Sequence, residues 1–211
     1  MNVDDPSDRD GDVDPSDEEE RESDESRMAA VRAAIASIRA PSIPVAEVWE
    51  VSMASLIQRA WSIPPVATRI LGQADRLGAL RLSPMAISMD RDEVEWSKIT
   101  AVRTGPVAEA LATNVIEREV DRLTKMLPML PGRKWLARRV TDLLHGLTMA
   151  AIQQSTSRES MRHVVTEIEY RGTLGRAKTM SAGLVVTAVL GLVPGANDAI
   201  HAMAGGAGHS L

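Results

Sequence analysis

The chain has 211 residues, a formal net charge of −5 and no Cys, which excludes disulfides and thiolate metal sites. Residues 1–27 hold 13 Asp and Glu against Arg9, Arg21 and Arg27, a net of −10, so the remainder is +5 and its core must come from apolar packing alone. About 180 residues remain beyond that acidic stretch, enough for one full core in a single domain.

Residues 1–27 mix Asp, Glu, Ser, Pro and Gly with little apolar beyond Val3 and Val13. Such a segment cannot bury enough surface to offset the entropy of ordering it, so a disordered acidic tail is predicted. It serves either as a solubilising arm or as a movable counter-charge. Its first ten residues are acidic where a secretory signal would be basic and then apolar, which predicts a cytoplasmic address, with membrane association as the alternative.

From residue 28 onward a single α+β domain, mainly helical, is expected over 28–211. Met28, Val31, Ala34, Ile35 and Ile38 repeat at helical spacing until Pro41. A second helix is predicted from Pro44 through Val45, Val48, Trp49, Ser52, Met53, Leu56, Ile57 and Ala60, stopped at Pro64 and Pro65, with Trp49 and Trp61 expected to pack. A third runs from Pro65 to Leu77, with Gly78 as its C-terminal cap, so that 28–78 is helical.

Residues 79–104 alternate instead. Leu80 and Leu82, then Met85, Ile87 and Met89, then Val94 and Trp96 fall at period two, with Ser83-Pro84 and Asp90-Arg91-Asp92 as turns and Ile99 to Val102 as a further short strand. The run LRLSPMAISMDRDEVEWSKITAVRT, Leu80 to Thr104, resembles the strand series of small bacterial pleckstrin-homology-like domains. That resemblance implies a fold of about seven strands with a closing helix, and a binding or scaffolding module without catalysis, of a class that sometimes meets membranes. It carries over no ligand residue.

Helical spacing returns over 106–154. Pro106 opens a helix through Val107, Leu111, Val115, Val120 and Leu127 to Pro128, and the next carries Leu136, Val140, Leu143, Leu144, Leu147 and Ala151 on one stripe with Lys134, Arg138, Thr141 and His145 on another side. Residues 162–171 fit either period, and Val164, Thr166, Ile168 and Tyr170 favour a strand. The segment 180–204 is nearly all apolar but its unbroken run, residues 182–193, is shorter than the roughly 20 residues of a spanning helix. It is either a buried core helix or an in-plane or re-entrant membrane segment.

Few constellations carry chemistry. Gly172 to Thr179 has the spacing of a phosphate-binding P-loop, but Ala177 stands where Gly is required and too little chain follows for the rest of a nucleotide fold. His145, His163, His201 and His209 lack the spacing of a metal site, and no catalytic motif is present, so neither cofactor nor metal is expected and enzyme activity has no support. Asn197-Asp198 reads as a turn or cap. The feature with most promise is Arg133, Lys134, Trp135, Arg138 and Arg139 at the start of one helix, inside a window from Arg118 to Lys178 with 12 basic and 6 acidic residues. These cations either pair with Glu117, Glu119 and Asp121 or meet an anion. The preferred reading is a non-enzymatic protein that binds a protein partner or an anionic membrane surface through these five residues, and the alternative is a regulatory nucleic-acid-binding protein using the same region.

Overall fold

The period-two alternation of residues 79–95 becomes a pleated meander in the computed structural model, which describes residues 15–75, 78–90, 92–113, 133–156, 163–172 and 175–207. Strands β1 (Trp49–Ser52), β2 (Ala79–Leu82), β3 (Ala86–Met89) and β4 (Asp92–Glu95) form an antiparallel sheet in that order. Leu82 faces Ile87 and Ile87 faces Val94 across the ladder, so one buried column is built from every second residue. Trp96, expected on a strand, lies in a single 3-10 turn (Trp96–Lys98) that carries the chain out of this sheet, and its indole Nε1 donates to the Ser83 carbonyl at 2.8 Å. A second antiparallel sheet follows, β5 (Ile99–Pro106), β6 (His163–Arg171) and β7 (Ala177–Ser181), with Val102, Ile168 and Met180 in register. The strand reading of 162–171 therefore holds, while β7 went unread.

Three helical boundaries differ from expectation. Helix α1 spans Pro15–Ala36, so residues 15–27 of the acidic segment belong to it, and residues 1–14 lie outside the described residues. Pro at the first position and a run of acids suit a helix N-terminus, and the packed end at Val31 and Ala34 supplies the anchor. The helix predicted from Pro44 begins only at Met53: α2 is Met53–Ala60, and Trp49–Ser52 pairs with β2 instead. Trp49 and Val51 alternate at period two while Val45, Val48, Trp49, Met53 and Leu56 fall at helical spacing, and pairing with Leu80 and Leu82 decides between them. Ser52 and Ser55 then exchange hydrogen bonds, side chain to backbone, at 3.2 and 3.0 Å and start α2 sharply. Helix α3 covers Pro65–Ala74; Gly78 is where the chain passes beneath α6 (Leu184–Leu192), since a Cβ there would sit 2.6 Å from Val185.

Pro106 ends β5, and α4 spans Val107–Thr113; the rest of that predicted helix lies outside the described residues. The long helix α5, Arg133–Thr156, packs against α1, α2, α3, α4 and α6, and its predicted stripe is buried from Leu136 to Ala151. Gly146 belongs to the same face, where an added Cβ would approach Val31 of α1 to 2.9 Å. Every residue of α6 from Leu184 to Gly191 is buried, against α4, α5, β2 and β6. Pro194-Gly195, with Gly195 in the left-handed region (φ 79°), turns the chain into α7, Ala196–Ala207. No single helix among the described residues is long and apolar enough to cross a membrane; α6 and α7 together reach that length but bend by 99°.

A basic groove on the long helix

The first two turns of α5 contain four cations and no acid, an arrangement unfavourable to the helix macrodipole. Their placement separates them. Lys134 and Arg138 stand four residues apart on the exposed side, in line with Thr141 and His145. Trp135 packs against the core, and Arg133 opens the helix, its side chain lying outside the described residues. So do Glu117, Glu119 and Asp121, the expected pairing partners.

Arg139 is held by two partners. Its guanidinium lies over the Trp61 ring at 5.0 Å from the centroid, and its Nη1 donates to Asp142 Oδ2 at 3.2 Å. The Asp142 carboxylate, 10% exposed, also faces Arg27 Nη1 of α1 at 3.6 Å. A groove of 640 Å³ results between α1, α2 and α5, lined by Arg27, Arg138, Arg139, Trp61, Asp142 and Ser26. Among the described lining residues, three guanidinium groups thus stand around one carboxylate. The pairing of Arg139 with Asp142 is visible in sequence as an i,i+3 relation. Trp61 and Arg27 are not: they reach the groove only through the packing of α1 and α2 on α5.

The P-loop spacing at 172–179 folds as the end of the β6–β7 hairpin. Gly172 N donates to the Arg176 carbonyl at 2.8 Å, Gly175 takes φ 71°, and Lys178 pairs with Tyr170 on a strand where a phosphate loop would enter a helix. Asn197 does more than cap: its Oδ1 accepts from Val165 N at 2.9 Å and its Nδ2 donates to the His163 carbonyl at 3.4 Å, so its amide pairs with β6 where β7 does not reach. Arg103 in β5 carries the one resolved perturbation among the described titratable groups, raised by its hydrogen bond and charge attraction to Glu169 and, less, by Glu167; it stays cationic. No protein-family model, no curated protein and no solved structure matches the chain.

Proposed function

We propose that the chain is a non-enzymatic binding or scaffolding module that receives an acidic segment of a protein partner on the face formed by Lys134, Arg138 and the Arg139 groove. The single observation behind this is the convergence of Arg27, Arg138 and Arg139 on one groove, with Asp142 as the acid among its described lining residues. A carboxylate-bearing chain can meet exposed guanidinium groups such as that of Arg138 in pairs. Trp135 is turned against the core and offers no aromatic anchor to a bilayer, which favours a protein partner over an anionic membrane. The nucleic-acid alternative keeps the same cations but lacks a stacking platform, because Trp61 is covered by Arg139.

Residues 1–24, with twelve acids against Arg9 and Arg21, precede the groove on the same chain and compete for it. Removing them while keeping Arg27 should raise affinity for a Glu-rich peptide several-fold at low salt, and less near 0.15 M, where the screening length is about 8 Å. Fluorescence anisotropy with that peptide, with phosphatidylserine vesicles and with single-stranded DNA tests the proposal. Peptide binding that is lost in the double variant K134E/R138E supports it; stronger binding to vesicles or DNA than to the peptide overturns it.

A further inference from the structure

The α1 side of the basic groove carries a hydroxyl. Ser26 and Ala30 stand one helical turn apart and line the groove together, while α5 supplies Arg138 and Arg139. Ser26 is exposed, and the small side chains of Ser26, Ala30 and Ala60 border 640 Å³ of open space between the helices. The next residue, Arg27, brings its Nη1 to 3.6 Å from Asp142, so this turn of α1 is already tied to α5 by charge.

Arg139 adds an independent observation. Its Nη1 donates to Asp142 at 3.2 Å and its guanidinium lies over Trp61, yet its Nε is buried with no hydrogen-bond partner. An enclosed guanidinium N–H without an acceptor is a cost to the protein, and an anionic oxygen brought to it removes that cost. Ser26 is the lining residue to which such oxygens can be added, because a serine hydroxyl accepts a phosphoryl group.

We propose that Ser26 is a phosphorylation site whose phosphate docks on Arg138 and Arg139 and closes the groove from within the same chain. A serine kinase transfers the γ-phosphoryl group of a nucleoside triphosphate to Ser26 Oγ. The new Oγ–P bond replaces the bond to the departing nucleoside diphosphate, and the hydroxyl proton passes to the base of the kinase. Asp24 and Glu25 directly precede Ser26 and suit a kinase with a basic substrate cleft. Residues 25–30 are exposed or half-buried and the fully buried Val31 follows them, so this turn can open to a kinase without uncovering the core. The product carries a charge of about −2 and three strong acceptor oxygens, which guanidinium groups match in pairs. Tethered beside these cations, it competes at high effective concentration with any anion from outside. Resting on the acidic-segment reading above, phosphorylation therefore turns partner binding off.

The full chain with Ser26 phosphorylated, prepared by genetic incorporation of phosphoserine, is compared with the unmodified chain. Docking should raise the Tm by about 3 °C or more and move the Arg139 Nε–H resonance. Arg138→Ala, mild in the unmodified chain, should remove much of that gain. A Tm no higher than that of the unmodified chain, or an unmoved Nε–H signal, overturns the docking. Incubation of the full chain with magnesium ATP and an extract of its own cells, followed by peptide mass spectrometry, should place phosphate on Ser26; phosphate confined to other residues, or none, overturns the modification. On the Glu-rich peptide the phosphorylated chain should bind at least about tenfold more weakly than the unmodified one, and equal affinity overturns the closure. If neither form binds the peptide, the partner reading fails alone, and the docking stands or falls on the Tm and the Nε–H signal.

Discussion

Helices α5 and α6 pack on one another, yet they bury their residues in different ways. In α5 a stripe of Leu136, Val140, Leu143, Leu144 and Leu147 is buried while Lys134, Arg138, Thr141 and His145 remain in solvent. In α6 the sides are indistinguishable, because Leu184 to Gly191 are covered all round by helices on one side and by both sheets on the other. A periodic stripe tells which face of a helix is inside, and an aperiodic apolar run tells that there is no outside. The difference also sets how each helix tolerates change: α5 has a face on which charge is free, and α6 has none.

That contrast is tested most severely at Val186, fully buried at the centre of α6. Val186→Asp places a carboxylate without a partner among apolar side chains and should cost more than about 4 kcal/mol, abolishing cooperative unfolding in a urea titration. A variant that still unfolds in one sharp transition would mean that α6 is not enclosed. Leu144→Ala on the buried stripe of α5 is the next largest change, expected to cost about 2–5 kcal/mol through the cavity it leaves, and read from the same titration.

The stripe of α5 and the strands between residues 79 and 102 were legible because each depends on spacing within one segment, whereas the apolar run of α6 fits a buried core helix and a membrane segment alike, and its packing decides. The misread part, Trp49–Ser52, has a spacing compatible with both periods, and only its pairing with β2, thirty residues on, resolves it. The candidate site divides in the same way. Exposure of Lys134 and Arg138 follows from their place opposite the Leu stripe, whereas the bracing of Arg139 by Trp61 is a contact between elements far apart in sequence that no local pattern encodes. Asn197 was unreadable for a related reason, since what matters is the hydrogen bond it makes with distant backbone.

Asn197 extends the comparison to the start of α7, where a side chain takes the place of a strand. Asn197→Ala removes both bonds to β6 and leaves the Val165 amide without its acceptor, for an expected loss of about 1–3 kcal/mol. Asn197→Asp keeps the acceptor and should lose less. Hydrogen exchange at the Val165 amide provides the direct measurement; unchanged protection in the Ala variant would show that the bond contributes nothing to holding the strand.

The finest comparison is between two adjacent arginines of α5. Arg138 is exposed, and truncating it to Ala should change stability by less than about 0.5 kcal/mol, because a solvated cation loses little when removed. Arg139 is 27% exposed, lies over Trp61 and shares Asp142 with Arg27. Its truncation removes the cation–π contact and leaves the largely buried carboxylate with one cation in place of two, so about 1–2 kcal/mol is expected even after discounting for residual solvent screening. Arg139→Lys should recover only part of this, since an ammonium keeps the charge but not the planar face that lies on the indole. Denaturant titration of the three variants decides the matter. Equal effects at 138 and 139 would mean that Trp61 and Asp142 do not brace Arg139, and the groove would then be a loose set of surface cations.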